Sequence, residues 1–109
     1  MKNYVQPGDI VTLTAPAGGV VSGDGVMIGD LFGVAQHSAA AGLPFESAVA
    51  GVFDITKVAS QAWTEGQLVY WDSVAGAATT TASDNKLIGK AVAAVGSGAG
   101  ETIGRVRLN

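Results

Sequence analysis

The chain has no cysteine, one histidine, seven aromatic residues and few charges. Without cysteine there are no disulfides and no thiolate metal ligands, a composition that suits any reducing compartment. One histidine and scattered aspartates leave no cluster at metal-ligand spacing. Charged residues make up 14% of the chain, little more than half of the ~25% usual in soluble domains. Six Lys and Arg against nine Asp and Glu give a net charge of -3, the wrong sign for holding a phosphate backbone by counterion release, so no nucleic-acid partner is expected. Residues 1–9 carry no apolar core of a secretion signal, and no window approaches 18 unbroken apolar residues. Neither a signal peptide nor a membrane partner is expected, and a cytosolic product is the default.

What the chain does have is alanine and glycine, 18 and 16 of its 109 residues. That length suits one compact domain or a small subunit, burying roughly two thirds of the surface of the unfolded chain. Nearly a third of the positions bring little side chain to that core. The expectation is that apolar contact between copies supplies part of the stability, because small residues let backbones approach closely.

The pattern of short apolar runs between turn residues is that of strands. Residues 9–14 put Val11 and Leu13 on one face and Thr12 and Thr14 on the other, after Pro7-Gly8. Pro16-Ala17-Gly18-Gly19 and Ser22-Gly23-Asp24-Gly25 separate Val20-Val21, Val26-Met27-Ile28 and the run at 31–35. From Phe45 the alternation places Phe45, Val49, Phe53 and Ile55 on one side of a strand bent at Gly51. Ile55, Val58, Ala59 and Ala62 have helical spacing and predict one or two helical turns. Leu68-Val69-Tyr70-Trp71 is apolar on both faces, implying burial on both sides. Residues 75–85 read as a polar loop or ragged hairpin, 87–95 as a long strand interrupted by Gly89. In the last strand Val106 and Leu108 point one way, and Ile103, Arg105 and Arg107 the other. The fold class is therefore all-β, a small β-sandwich or barrel over residues 7–109 with one short helix, preceded by an extended N-terminal arm at residues 1–6.

Catalytic patterns fail one by one. His37 stands next to Ser38 in a turn, which does not make a nucleophile and base. The segment Gly23-Asp24-Gly25-Val26-Met27-Ile28-Gly29 is one residue too long for the dinucleotide fingerprint, with no helix after it. Gly89-Lys90 resembles the end of a P-loop, but Ala91 stands where Ser or Thr must hold magnesium. Asp24 with Asp30, or Glu65 with Asp72, could meet as an acid and base pair, although aspartate in turns is the commoner use. No catalytic residue, metal ligand or cofactor is assigned. Trp63, Tyr70 and Trp71 suit core or subunit-interface packing better than a peptide-binding shelf. Arg105 and Arg107 form a short basic stripe, either solvated or bridged across a subunit boundary.

Asn3-Tyr4-Val5-Gln6-Pro7-Gly8-Asp9, Leu13-Thr14-Ala15-Pro16-Ala17-Gly18-Gly19-Val20, Ser22-Gly23-Asp24 and Gly29-Asp30-Leu31-Phe32-Gly33-Val34-Ala35 resemble the DUF2190 family of phage and prophage proteins. The resemblance continues through Gly51-Val52-Phe53-Asp54-Ile55-Thr56-Lys57, Gly66-Gln67-Leu68-Val69-Tyr70-Trp71-Asp72, Ile88-Gly89-Lys90-Ala91 and Val106-Arg107-Leu108, covering essentially the whole chain. It implies a small β-rich capsid decoration, or cement, protein that binds the outside of a tailed-phage head, commonly as a homotrimer. Such a protein would be made in the bacterial cytoplasm, with the major capsid protein and itself as partners. A recombinase label carried by some relatives finds no support in the failed P-loop.

On that reading the arm residues Lys2, Asn3, Tyr4, Val5 and Gln6 are the expected capsid contact, adding a strand to a capsid-protein edge. Trp63, Tyr70 and Trp71, with Arg107 as ion-pair donor, are the expected subunit interface. The alternative is a small β-barrel module recognising a peptide, a glycan or a host protein. An enzyme subunit using Asp24, Asp30 or His37 is a third, weaker reading.

Overall fold

The computed structural model describes residues 8–108, which form nine strands. They are β1 (Ile10–Thr14), β2 (Gly25–Ile28), β3 (Leu31–Ala35), β4 (Pro44–Ala48), β5 (Gly51–Thr56), β6 (Leu68–Asp72), β7 (Ala77–Thr79), β8 (Lys86–Ala91) and β9 (Ile103–Leu108). The all-β expectation is met. The predicted helix is not, and no helix occurs among the described residues. Ile55 and Thr56 end β5, Lys57 makes a bridge to Ala78, and Ser60 has a φ of 59°, a left-handed conformation that helices do not continue through. The helical spacing of Ile55, Val58, Ala59 and Ala62 joins a strand to a turn. The predicted arm, residues 1–6, lies outside the described residues.

The strands form two antiparallel sheets, with orders β1-β4-β3-β2 and β5-β9-β8-β6-β7. The continuous strand expected from Phe45 to Ile55 is instead two strands, one in each sheet. The chain changes sheet at Val49-Ala50, and Gly51 enters β5 with a φ of 121°, a region that favours glycine. Alternation survives within each piece, but Phe45 and Ile55 belong to different cores.

The second sheet curls until its outer strands meet. A parallel bridge joins Lys57 to Ala78, and the Val58 amide donates to the Ala78 carbonyl at 3.0 Å. A barrel has one inside, so β6 buries one face only. Val69 and Trp71 are buried, Tyr70 is half-buried and Leu68 is exposed, in place of the burial on both faces expected from their apolar character. The interior also holds Ile55, Trp63, Ala78, Ile88, Ala91, Val106 and Leu108. Phe32 and Val34 of β3 join it from the first sheet, and the Phe32 and Trp71 rings lie 4.9 Å apart. The opposite face of the first sheet has its own cluster of Ala15, Val20, Val26, Ala35 and Phe45.

Close packing here depends on missing side chains. A Cβ on Gly104 would run into the Trp63 ring, and one on Gly25 would come within 2.9 Å of both Phe32 and Trp71. The Trp63 indole N–H donates to Gln61 Oε1 at 2.9 Å, and the same oxygen accepts from the Thr80 amide at 2.8 Å, which ties the 61–63 loop to the end of β7. Lys57 is 2% exposed. Its Nζ donates to the Val58 and Glu101 carbonyls at 2.7 and 2.9 Å and lies 5.8 Å from the centre of the Trp63 ring, a cation–π arrangement. A buried ammonium needs such partners, since desolvation without them is costly.

Gly104→Ala should therefore destabilise the protein by about 1–3 kcal/mol through overpacking. Gly100→Ala, at a site with no atom near the added methyl, should stay within about 0.5 kcal/mol of wild type. Chemical denaturation of both variants checks this, and equal stability would show that the Trp63 contact is not limiting.

Candidate functional site

Strand alternation fixes which residues β5, β9, β8 and β6 turn outward. With Val106 and Leu108 inside, Arg105 and Arg107 face out, as expected. Register then lines up a row across four strands: Val52 opposite Arg107, Arg107 opposite Lys90, and Lys90 opposite Leu68. Val52 is 53% exposed and Leu68 43%. A neighbouring row, displaced by the irregularity between Val69 and Tyr70, puts Tyr70 opposite Leu87. On the other side Asp54 stands opposite Arg105, and Thr56 opposite Ile103. The barrel thus presents a sheet face with two adjacent cations flanked by exposed apolar side chains.

Arg105 holds Asp54 in a two-pronged contact, Nε to Oδ1 at 2.9 Å and Nη2 to Oδ2 at 3.2 Å. The hydrogen bonds, with the guanidinium charge behind them, hold the Asp54 carboxyl below its ordinary value and raise Arg105. Of the two options for this stripe, Arg105 takes neither as framed: it is bridged, but within its own chain, to a residue 51 positions away. Among the described residues no carboxylate bridges Arg107 or Lys90.

The polar residues weighed for catalysis have other work. Asp24 Oδ2 accepts from the Val21 amide, and Asp72 Oδ1 from the amides of Val74 and Ala75, so both are turn-forming. Asp30 is bridged to Lys86 at 2.9 Å. Glu65 is exposed in a turn. His37 Nε2 accepts from the Glu46 amide at 3.2 Å and Nδ1 lies 3.2 Å from the Ser38 carbonyl, while the Ser38 hydroxyl oxygen accepts from the Ser22 amide. The His37 ring is therefore engaged with backbone groups and Ser38 Oγ with another. No group of three or more His, Cys, Asp or Glu positioned for a metal occurs among the described residues. A depression of about 510 Å³ between β2 and the turn before β8 is bordered by Met27, Asp72, Asp84, Asn85 and Lys86. Ser73, Thr79, Thr81 and Ser83 also line it, and among the described residues none of these hydroxyls hydrogen-bonds to a carboxylate there.

The four residues expected at a subunit boundary separate into two pairs. Trp63 and Trp71, 1% and 6% exposed, lie in the barrel's own core, where their side chains have almost no surface to offer a second molecule. Burial within one chain also removes them as an exposed aromatic shelf. Tyr70 and Arg107 share the outer face just described. The arm residues Lys2, Asn3, Tyr4, Val5 and Gln6 lie outside the described residues. Sequence reasoning missed Lys90, Val52 and Leu68 as companions of Arg107. Their alternation was visible strand by strand, but the register joining them was not.

A profile described as phage cement protein matches residues 5–108. No curated protein and no solved structure matches the chain.

Because Asp54 is held below its ordinary value of 3.8, the ion pair's contribution to stability is complete above that pH and is lost as pH falls through the lowered value. Asp54→Asn should therefore flatten the acid side of the stability profile between about pH 5 and pH 2 relative to wild type. Denaturation midpoints measured across that range check it. Parallel profiles would show that this exposed pair contributes nothing.

Proposed function

The chain belongs to the phage cement protein family, and we propose that it decorates the outer surface of a tailed-phage head, as a homotrimer bound to the major capsid protein, and stabilises the mature shell. The observation that carries this reading is the extent of the family match, which runs from residue 5 to residue 108 and so takes in both sheets. The protein acts by contact rather than by catalysis: trimers at three-fold or quasi-three-fold positions add buried area that opposes shell expansion. A ligand that binds only the mature shell stabilises it by mass action.

The roles divide along the chain. Residues Lys2, Asn3, Tyr4, Val5 and Gln6 are the proposed capsid contact, pairing with an edge strand of the capsid protein. Tyr70 and Arg107 are the proposed subunit contacts, and Trp63 and Trp71 support from inside the strands that carry or flank them. Burial of both tryptophans in the core removes the main attraction of a peptide- or glycan-binding module.

Quantitative mass spectrometry of purified particles should find this chain in a copy number approaching that of the major capsid protein. Absence, or a few copies per particle, would remove the cement reading. Deleting residues 2–6 should leave the oligomer folded yet unable to bind heads that lack the wild-type protein, and unimpaired binding would overturn the role of the arm. Trp71→Ala should cost about 3–5 kcal/mol in folding stability, as expected for a buried tryptophan. Equal heat stability would contradict its supporting role.

A further inference from the structure

We propose that the barrel face centred on Lys90 and Arg107 seats the Glu46-bearing face of the first sheet of a second copy, in a head-to-tail contact between copies. This rests on the homotrimer reading above and identifies the surfaces that would build it.

The chain has six Lys and Arg. Lys2 is outside the described residues. Lys57 is buried against two carbonyls and a tryptophan ring, Lys86 is bridged to Asp30, and Arg105 to Asp54. Lys90 and Arg107 are left, and the register places them directly opposite one another. Like charges paired across strands repel. In a chain of net charge -3, such a pair is a local reversal of sign that a carboxylate from outside would relieve. The flanking residues suit a packed contact rather than open water. Val52 and Leu68 end the same row, Leu87 is 48% exposed and Ile103 54%, and the row spans about 15 Å at ordinary strand spacing.

The first sheet supplies the complement. Glu46 on β4 stands opposite Thr12 on β1, and the Thr12 hydroxyl donates to Glu46 Oε1 at 3.0 Å, holding the carboxylate against the sheet surface. Ile10, Thr14 and Pro44 are exposed on that same face. The other carboxylates differ. Asp30 and Asp54 are bridged, Asp24 and Asp72 bind amides in their own turns, and Asp9, Glu65, Asp84 and Glu101 lie off the strands. Glu46 is the carboxylate among the described residues that stands on a strand with neither a bridging cation nor amides of its own turn to bind. Both patches carry charge amid apolar or small polar neighbours, with opposite sign. Because the two patches are different surfaces of one chain, each copy offers a free patch to the next. A contact of this kind builds a ring when its rotation closes, and at three copies the ring is the trimer.

Native mass spectrometry and sedimentation of the full chain test the pairing. Wild type should be trimeric and should dissociate as salt is raised. Lys90→Glu with Arg107→Glu should raise the concentration of half-assembly at least about tenfold, as should Glu46→Lys alone, and the triple charge swap should restore assembly. Lys90→Gln with Arg107→Gln gives the same direction without introducing new charge, should the reversed variants fail to fold. A wild-type trimer indifferent to all these changes overturns this inference and leaves the homotrimer reading standing. Dissociation by the Lys90 and Arg107 changes but not by Glu46→Lys overturns Glu46 as the complement. A wild type that stays monomeric at every concentration overturns the homotrimer reading itself, and this inference with it.

Discussion

The second half of the fold depends on a tryptophan ring laid against a strand position that has no side chain. Trp63 occupies the space over Gly104, and the ring is held there by its N–H bond to Gln61 and by the ammonium of Lys57. Those same groups tie the start and end of the sheet together. Lys57 makes the bridge to β7, and Gln61 bonds the amide that follows β7. Closure is therefore a property of a small polar network around one aromatic ring, with the aliphatic interior filling in beneath it. Satisfied buried networks of this sort define a single arrangement, because any partial version leaves a polar group unpaired. The outer face inherits that rigidity: Lys90 and Arg107 project from β8 and β9, paired strands of the closed sheet.

The abundance of alanine and glycine takes on a definite meaning in this setting. Small residues were expected to let copies of the chain approach each other, and inside the chain they already do comparable work. Gly33 leaves room for the Ser47 side chain, Gly25 for the Phe32 and Trp71 rings, and Gly89 for the Arg107 carbonyl. Ala77, Ala78 and Ala91 are buried within the curled sheet. The two sheets meet through a narrow set of large side chains, chiefly Phe32 and Val34 against Trp71 and its neighbours. One small chain thus carries a curled half-barrel on one side and an open four-stranded sheet on the other, two surfaces of unlike character for contact with other molecules.

The strands and their inward faces were legible wherever turn residues bracketed an alternating run. Ile10–Thr14, Gly25–Ile28, Leu31–Ala35 and Ile103–Leu108 follow the pattern closely. Errors arose where one run served two structures. The alternation from Phe45 to Ile55 is unbroken in sequence, yet the chain passes between sheets at Val49-Ala50, and periodicity has no means of marking that change of partner. Leu68 and Tyr70 look as apolar as Val69 and Trp71, and only barrel curvature decides which pair is enclosed. For the outer face, Arg107 and Tyr70 stood out by residue type. Their neighbours Lys90, Val52 and Leu68 are set by pairings between residues 17 to 55 positions apart, which local pattern does not encode. Asp54 and Arg105 illustrate the same gap, since neither reveals its partner.

The strand order also carries a consequence for synthesis. The first sheet draws only on residues 10–48, so its strands can pair as soon as that stretch is clear of the ribosome. The second sheet cannot be completed until its last strand is made. Its strand β9 lies between β5 and β8 and is made last, so β5 has no antiparallel partner until Leu108 has emerged. Strands β6, β7 and β8 can pair before that, so translation delivers a finished first sheet and a second in two pieces, and the row from Val52 to Leu68 is joined when the final strand comes between β5 and β8.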